Sequence, residues 1–375
     1  MVIPQAKYGL STDICDRSWI WKNPDWLSFP DMSDDFLSQA RNLNEAEKQL
    51  EELCSYQGFE SEQICVACDS ILASWNLEGM RLRRNSVRSS LADALGLGAA
   101  EWKRRSRKSR EGRAVAATME LLSDEAPLTL DRILTSHALL KEDAETGWGR
   151  LREHAEYVYA LDAEGRRHVV YEAPPQECVP GLMQQYIDWW HASKQALPRA
   201  AGAMLAHLLF VVIHPFRDGN GRMARMLADR YLSESSRYMF RPYSLSVEIA
   251  RRKTDYYMAL ESITEARGMG RFLDFMLAAH ATAIDVAIKR AKLLERTHAF
   301  LAQNGIHLSN PEMELLHTLC ANPGHRWSFI EATRDMEDGD EAEYAWNSLA
   351  EKGFISHGLF IVQEKNDNII SLLHS

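Results

Sequence analysis

Apolar positions recur at helical spacing through 35–54 and again through 62–82, which predicts two helices inside a polar N-terminal region reaching to about residue 115. From about 120 to 285 the pattern reads helix, short hairpin, helix, and then two apolar helices flanking a glycine-containing loop. The hairpin is expected at Tyr157–Leu161 and His168–Tyr171, because β-rich residues stand on both sides of the turn signal Asp162-Ala163-Glu164-Gly165. Ala201–Ile213 is the most apolar stretch; it suits a buried core helix and falls far short of the roughly 20 residues of a membrane span. A last unit starts near Asn304, with a helix opening at Asn310-Pro311, three helical stretches, and a hairpin through Phe354-Ile355 and Leu359-Phe360-Ile361-Val362. The expected fold is therefore mainly α. A helical core with a β-hairpin flap occupies 119–285, after an N-terminal helical domain over 1–118; a linker helix over 286–303 and a winged-helix-like domain over 304–375 follow.

Composition changes this picture little. The 46% hydrophobic and 26% charged residues are the ordinary globular balance, and a net charge of −10 argues against a protein that coats nucleic acid. The basic residues of 81–84 and 103–113 are interrupted by Asp93, Glu101 and Glu111, and read as a solvated face. In the C-terminal unit, Glu337, Asp338, Asp340, Glu341 and Glu343 fall where a DNA-reading helix would carry basic residues, so a protein contact is the favoured role. Cys15, Cys54, Cys65, Cys68, Cys178 and Cys320 are scattered, and Cys65-Val66-Ala67-Cys68 has no second pair to complete a metal site. The opening Met1-Val2-Ile3-Pro4-Gln5 is no basic-then-apolar leader, so a reducing cytoplasm is the expected setting.

The candidate chemistry concentrates at 214–225. Gly219-Asn220-Gly221 lets backbone amides approach a ligand closely, and it runs straight into a helix whose N-terminal amides and dipole favour an anion. Arg222 and Arg225 are three apart and share a face of that helix, as two guanidinium groups holding adjacent phosphates would. Asp218 supplies a hard oxygen suited to Mg²⁺, which binds through few carboxylates together with phosphate oxygens. His214 belongs to the pKa class that can take a proton from an attacking hydroxyl, and Phe216 reads as the apolar peg of the loop. Eight specified positions at about one in twenty each recur by chance about once in 10¹⁰ windows.

These residues resemble the Fic family signature His-x-Phe-x-(Asp/Glu)-Gly-Asn-Gly-Arg-x-x-Arg, filled at every specified position from His214 to Arg225. A looser likeness runs from about Arg132 to His280 and includes Gly149, Arg152 and Ala173-Pro174-Pro175. The resemblance implies AMP transfer from ATP to a hydroxyl of a target protein or of the chain itself. His214 would be the base and Asp218 the Mg²⁺ ligand. Gly219, Asn220 and Gly221 would surround the α-phosphate, with Arg222 toward the outer phosphates. It further implies that Ser246-Val247-Glu248-Ile249 and Tyr256-Tyr257 border the base, although both tyrosines read equally well as core. His168, Val169, Val170 and Tyr171 would belong to a flap that docks the target by main-chain pairing. Trp19-Ile20-Trp21-Lys22-Asn23-Pro24-Asp25-Trp26 resembles the start of an extra helical domain carried by some Fic proteins.

A second resemblance concerns control: Ser74-Trp75-Asn76-Leu77-Glu78-Gly79 fits the inhibitory pattern (Ser/Thr)-x-x-x-Glu-(Gly/Asn) of autoinhibited Fic proteins. It implies that Glu78 pairs with Arg225 and obstructs the γ-phosphate. Holding an enzyme about 99% closed needs about 2.7 kcal/mol, whereas an exposed ion pair contributes about 0–1 kcal/mol. The inhibitory helix is therefore expected to be docked through Ile71, Leu72, Trp75 and Leu77. A homodimer is a further expectation, as an interface able to switch that helix. Two other functions stay open at this point: removal of AMP or transfer of another phosphoryl-containing group on the same fold, and a winged-helix regulator whose nucleotide site is a sensor.

Overall fold

The computed structural model describes residues 2–3, 19–22, 32–54, 59–95, 109–123, 126–141, 147–161, 164–234, 236–263, 269–320, 325–334, 336, 339–356 and 359–360. Cys15, Trp26, the basic run over 103–108, Asp162, Ala163, Glu337, Asp338, Ile361 and Val362 lie outside the described residues.

The described helices are α1 (Asp34–Leu53), α2 (Phe59–Leu77), α3 (Arg84–Ala94), α4 (Arg110–Leu122), α5 (Leu130–Leu139), α6 (Val179–Ala196), α7 (Arg199–Ile213) and α8 (Asn220–Ser233). They continue with α9 (Leu245–Arg251), α10 (Lys253–Ser262), α11 (Met269–Gln303), α12 (Asn310–Cys320), α13 (Phe329–Ala332) and α14 (Gly339–Glu351). The strands are β1 (Val2–Ile3), β2 (Tyr157–Leu161), β3 (Arg167–Glu172), β4 (Ile355–Ser356) and β5 (Leu359–Phe360). The protein is mainly α, and none of the described helices is long and apolar enough to cross a membrane.

Two compact units result, one of Met1–Ala46 with Ile64–Ala283 and one of Glu47–Gln63 with Ile284–Ser375. In the first, α7 is apolar all round and is buried accordingly, from Ala200 to Phe210 and again at Val212 and Ile213. It lies tight against α8, where a Cβ at Gly202 would strike the Tyr231 ring, so glycine sets the spacing of the two helices that carry the loop. The same core takes in Trp75 and Leu77 of α2 and Val115, Ala117 and Leu121 of α4. A boundary near residue 118 would cut through α4, whose buried face belongs to this continuous core.

β1 pairs in parallel with β2, and β2 pairs antiparallel with β3. Between Val158 and Tyr159 the register shifts, so that Val158 faces Tyr171 while Tyr159 faces Val169. This bulge breaks the alternation of the strand and allows Val170 and Tyr171, neighbours in sequence, both to be buried. Trp19 Nε1 donates to Glu172 Oε2 at 2.8 Å and Trp21 Nε1 to the Glu172 carbonyl at 2.7 Å, fastening the N-terminal aromatic residues to β3.

The second unit holds α12–α14 and the β4–β5 hairpin around Leu315, Leu316, Leu319, Leu349 and Phe354. Glu312 accepts from the Ser309 amide at 2.6 Å and also meets Ser348 and Lys352, closing a capping box one residue before the Asn310 expected from sequence. Asp340, Glu341 and Glu343 are exposed on α14.

The core of the first unit contains four buried imidazoles. Burial pushes His207 and His280 down to about 3 and His137 and His214 down to about 4. The folded chain thus refuses protons that the unfolded chain accepts from pH 6.5 downward. Stability should be complete above that pH and lost as pH falls toward the folded-state values, by about 1 kcal/mol per histidine per pH unit. Urea unfolding followed from pH 7.5 to 5 checks this; a flat profile contradicts it.

Candidate active site

The loop between α7 and α8 begins where α7 ends. His214 caps α7 in the left-handed region, at φ 50° and ψ 57°, a conformation that costs energy for a residue with a side chain. It is held there by its own amide, which donates to the Phe210 carbonyl at 3.0 Å, and by Arg152 Nε, which donates to the His214 carbonyl at 2.8 Å. Arg152 reaches the Pro174 and His154 carbonyls with its other nitrogens, and its amide donates to the Pro215 carbonyl at 2.9 Å. One buried guanidinium therefore gathers the loop, the segment before β2 and the segment after β3.

Asn220 closes the loop on itself. Its Oδ1 accepts from the Phe216 amide at 3.0 Å and its Nδ2 donates to the Phe216 carbonyl at 2.7 Å. The side chain expected at the α-phosphate thus shapes the loop, and the anion donors are left to the amides that follow. Gly219 takes φ 82° before the helix, which a residue with a side chain rarely adopts. Its amide donates to Asp218 Oδ1 at 2.6 Å.

Arg222 and Arg225 rise from the first turns of α8 and are both buried. Arg225 Nε donates to Ser74 Oγ at 2.8 Å, and Nη2 donates to the Ser74 carbonyl at 2.8 Å and to Glu78 Oε1 at 2.7 Å. The pair is desolvated, with 1% of the arginine side chain and 11% of the glutamate exposed. Glu78 Oε1 lies where a Cβ on Gly221 would be, so the carboxylate occupies the anion position at the α8 N-terminus. Arg225 Nη1 has no hydrogen-bond partner among the described residues and lies close to the same point. The end of α2 is packed into the core: Ile71, Trp75 and Leu77 are buried, Leu72 is half-buried, and Tyr257 Oη donates to the Leu77 carbonyl at 2.7 Å. Arg222 is held by the same segment, with Met80 Sδ 3.8 Å from Nη1 and the Trp75 ring 5.7 Å from the guanidinium carbon, and the Trp148 ring, from the stretch before β2, lies 5.6 Å from it.

A largely apolar pocket opens beside the loop, and His214, Asn220 and Gly221 line it. Val158, Val170 and Tyr171 form the flap side; Tyr256, Leu260 and Glu261 of α10 form the other. Of the sequence-predicted base-side residues, Tyr256 faces this pocket and also meets His207 at 2.9 Å, while Tyr257 is committed to α2. Ser246 is buried in the first turn of α9. In the flap, Tyr171 donates its hydroxyl to the Val212 carbonyl and anchors β3 to α7. His168 and Val169 are half-buried, and among the described residues β3 pairs only with β2, so its other edge carries the main-chain groups.

His214 Nδ1 lies 3.3 Å from the Val211 carbonyl. A carbonyl only accepts, so Nδ1 carries the proton and Nε2 keeps the lone pair of a base. Burial lowers its pKa to about 4 from the 6.5 of a free imidazole, outweighing the carbonyl bond that raises it. The imidazole is thus neutral throughout the physiological range.

Asp218 suits a Mg²⁺ ion brought in with phosphates. Its side chain is 54% exposed, and Oδ2 has only a long 3.5 Å contact to Arg222 Nη2, so an oxygen is accessible. No group of three or more His, Cys, Asp or Glu able to hold a metal occurs among the described residues, so the ion would need substrate oxygens to fill its shell.

Sequence reasoning did not single out His137 or Trp148. The His137 ring stacks on Phe216 with centroids 3.6 Å apart, and Trp148 packs on its other flank at 4.9 Å. No local signal marks either residue, since both reach the loop only through the fold.

The Fic/DOC family model matches residues 127–232, and a model described as a domain of unknown function (DUF4172) matches residues 19–97. Protein adenylyltransferase fic-1 of Caenorhabditis elegans is 32% identical over 135 residues, covering 36% of this chain and 23% of that protein. A uridine 5'-monophosphate transferase of Xanthomonas campestris pv. campestris is 32% identical over 114 residues, covering 28% of this chain and 20% of that protein. The chain spans about a fifth to a quarter of the length of such curated relatives. A solved Fic family protein from Desulfovibrio desulfuricans G20 shares the fold at TM-score 0.53 and 21% identity, covering 87% of this chain and 92% of that one. The signature is thus complete from His214 to Arg225, residues 127–232 match the Fic/DOC family model, and the helical fold is like that of the Desulfovibrio protein.

Proposed function

We propose that this chain transfers AMP from ATP to a serine, threonine or tyrosine hydroxyl of a target protein or of itself, and that its own Glu78 restrains it. The observation that carries the reading is the anion site at the α8 N-terminus, which lies beside a neutral imidazole base and is occupied by a carboxylate from α2. The names of the curated relatives support nucleotidyl transfer.

In this reading His214 Nε2 takes the proton of the attacking hydroxyl as its oxygen bonds to the α-phosphorus. The bond from the α-phosphorus to the bridging oxygen breaks, and pyrophosphate leaves. The Gly221 amide and the α8 N-terminus face the negative charge that develops on the α-phosphate. Arg222 and Arg225 hold the outer phosphates once Glu78 has withdrawn. Asp218 would hold Mg²⁺, which neutralises phosphate charge when bound. Glu78 and a γ-phosphate compete for Arg225, so ATP bound at rest is misaligned for transfer. The open edge of β3 offers a target segment main-chain pairing that is indifferent to most side chains. We read the C-terminal unit, three helices and a hairpin with an acidic third helix, as a winged-helix-like protein-contact module. The setting in this reading is cytoplasmic.

Incubation with α-labelled ATP and Mg²⁺ tests the reading. Glu78→Gly should raise labelling of the chain or its targets by about tenfold or more over wild type, and adding His214→Ala should abolish it. No increase with Glu78→Gly sinks the inhibitory assignment. Absence of label in every variant despite ATP binding favours a sensor or the reverse reaction, and label from UTP in preference to ATP reassigns the nucleotide.

The base gives a second expectation. Protonation of His214 removes the lone pair, so the Glu78→Gly rate should hold as pH falls through 6.5, over the range in which the chain stays folded. A rate profile half-maximal at or above pH 6.5 contradicts the buried, neutral base.

A further inference from the structure

His137 is 1% exposed, stands 77 positions before His214 and takes no part in the chemistry above, yet the signature loop is built around its ring. The Gly149 amide donates to His137 Nδ1 at 2.9 Å, which makes Nδ1 the lone-pair nitrogen and leaves the proton on Nε2. That proton faces the Asp218 carbonyl at 3.0 Å. The tautomer is thus decided by the backbone on one side and delivered to the loop on the other. Gly149 is required for the first bond: it has φ 79°, and a Cβ there would meet Ala138 Cβ at 2.8 Å. On the ring face, Phe216 stacks at an interplanar angle of 4°. At Gly219 an added Cβ would press on Trp148 at 3.2 Å and on His137 at 3.4 Å, so the turn wraps closely around both rings.

We propose that His137 is the positioning residue of Asp218: through its Nε2 donor bond and its stack on Phe216 it aims the Asp218 carboxylate at the metal–phosphate position. The inference rests on the reading of the site as one for Mg²⁺ and ATP. Asp218 is held on its side-chain end by the Gly219 amide at Oδ1, and on its main-chain end by His137. With both ends fixed, Oδ2 has one direction, which a mostly exposed carboxylate would otherwise lack.

The test is ATP affinity by calorimetry on the full chain in the Glu78→Gly background, with Mg²⁺ and with EDTA. Two substitutions divide the ring: in His137→Asn the amide can replace the Nδ1 acceptor, and in His137→Gln it can reach the position of the Nε2 donor. The gain in ATP affinity that Mg²⁺ brings should drop by about tenfold or more in His137→Asn, which loses the donor and the stack, and by a smaller factor in His137→Gln, which loses the stack alone, with metal-free affinity preserved in both. Equal loss with and without Mg²⁺ would mean the loop has simply collapsed, and equal behaviour of Asn and Gln would mean that the donor is irrelevant; either overturns the proposal. If the Glu78→Gly parent binds no ATP at all, the functional reading beneath falls and takes this inference with it. A variant that loses its cooperative melting transition is replaced by Phe216→Leu, which removes the stack alone. It should show the smaller Mg²⁺-specific loss expected of His137→Gln, and an unchanged Mg²⁺ gain counts against the proposal.

Discussion

A guanidinium buried to 1% exposure needs an anion, and the organisation of this site follows from that demand on Arg225. Removing one partner of a buried ion pair costs about 3–5 kcal/mol, because the remaining charge is left in a medium that cannot solvate it. The resting protein meets the demand with Glu78, backed by the hydroxyl and carbonyl of Ser74. In the proposed reaction a phosphate of ATP meets it instead. Glu78 Oε1 reaches the space that a side chain at Gly221 would fill, so glycine there makes room for the carboxylate. In the proposed reaction the competition between carboxylate and phosphate needs no long-range transmission, because the carboxylate already stands at the helix N-terminus.

The strength of that exclusion depends on α2 as a body. An isolated exposed pair would be too weak, but Trp75 and Leu77 are buried in the core, Tyr257 ties down the Leu77 carbonyl, and Trp75 with Met80 contacts Arg222. Whatever releases Glu78 has to move a packed helix end as well as a side chain.

The loop itself is a strained turn secured from several directions. The left-handed backbone at His214 is held by Arg152, the Asn220 amide bridges both backbone groups of Phe216, and His137 and Trp148 flank the apolar peg. Dry surroundings then set the protonation states. His137 and His214 are neutral because burial disfavours their cations, and the carbonyl or amide that each Nδ1 meets decides which nitrogen keeps its lone pair.

Much of this was legible in the order of residues. The signature from His214 to Arg225, the helix-ready phase of Arg222 and Arg225, the all-apolar α7 and the hairpin strands are local, and local spacing maps directly onto backbone geometry. Glu78 was also legible as a pattern, and its partner was named through family likeness. The tertiary structure decided what spacing cannot carry. Ser74 and Arg225 are 151 positions apart, and Tyr257 is 180 positions from the Leu77 carbonyl it binds. Asn220, expected beside the α-phosphate, also braces the loop, and Tyr257, which read equally as a wall for the base or as core, anchors α2. His137 carried no signal at all. A residue's chemistry is written in its type, but burial and partners are written only by packing, and those decide which atom holds a proton and which charge must be answered.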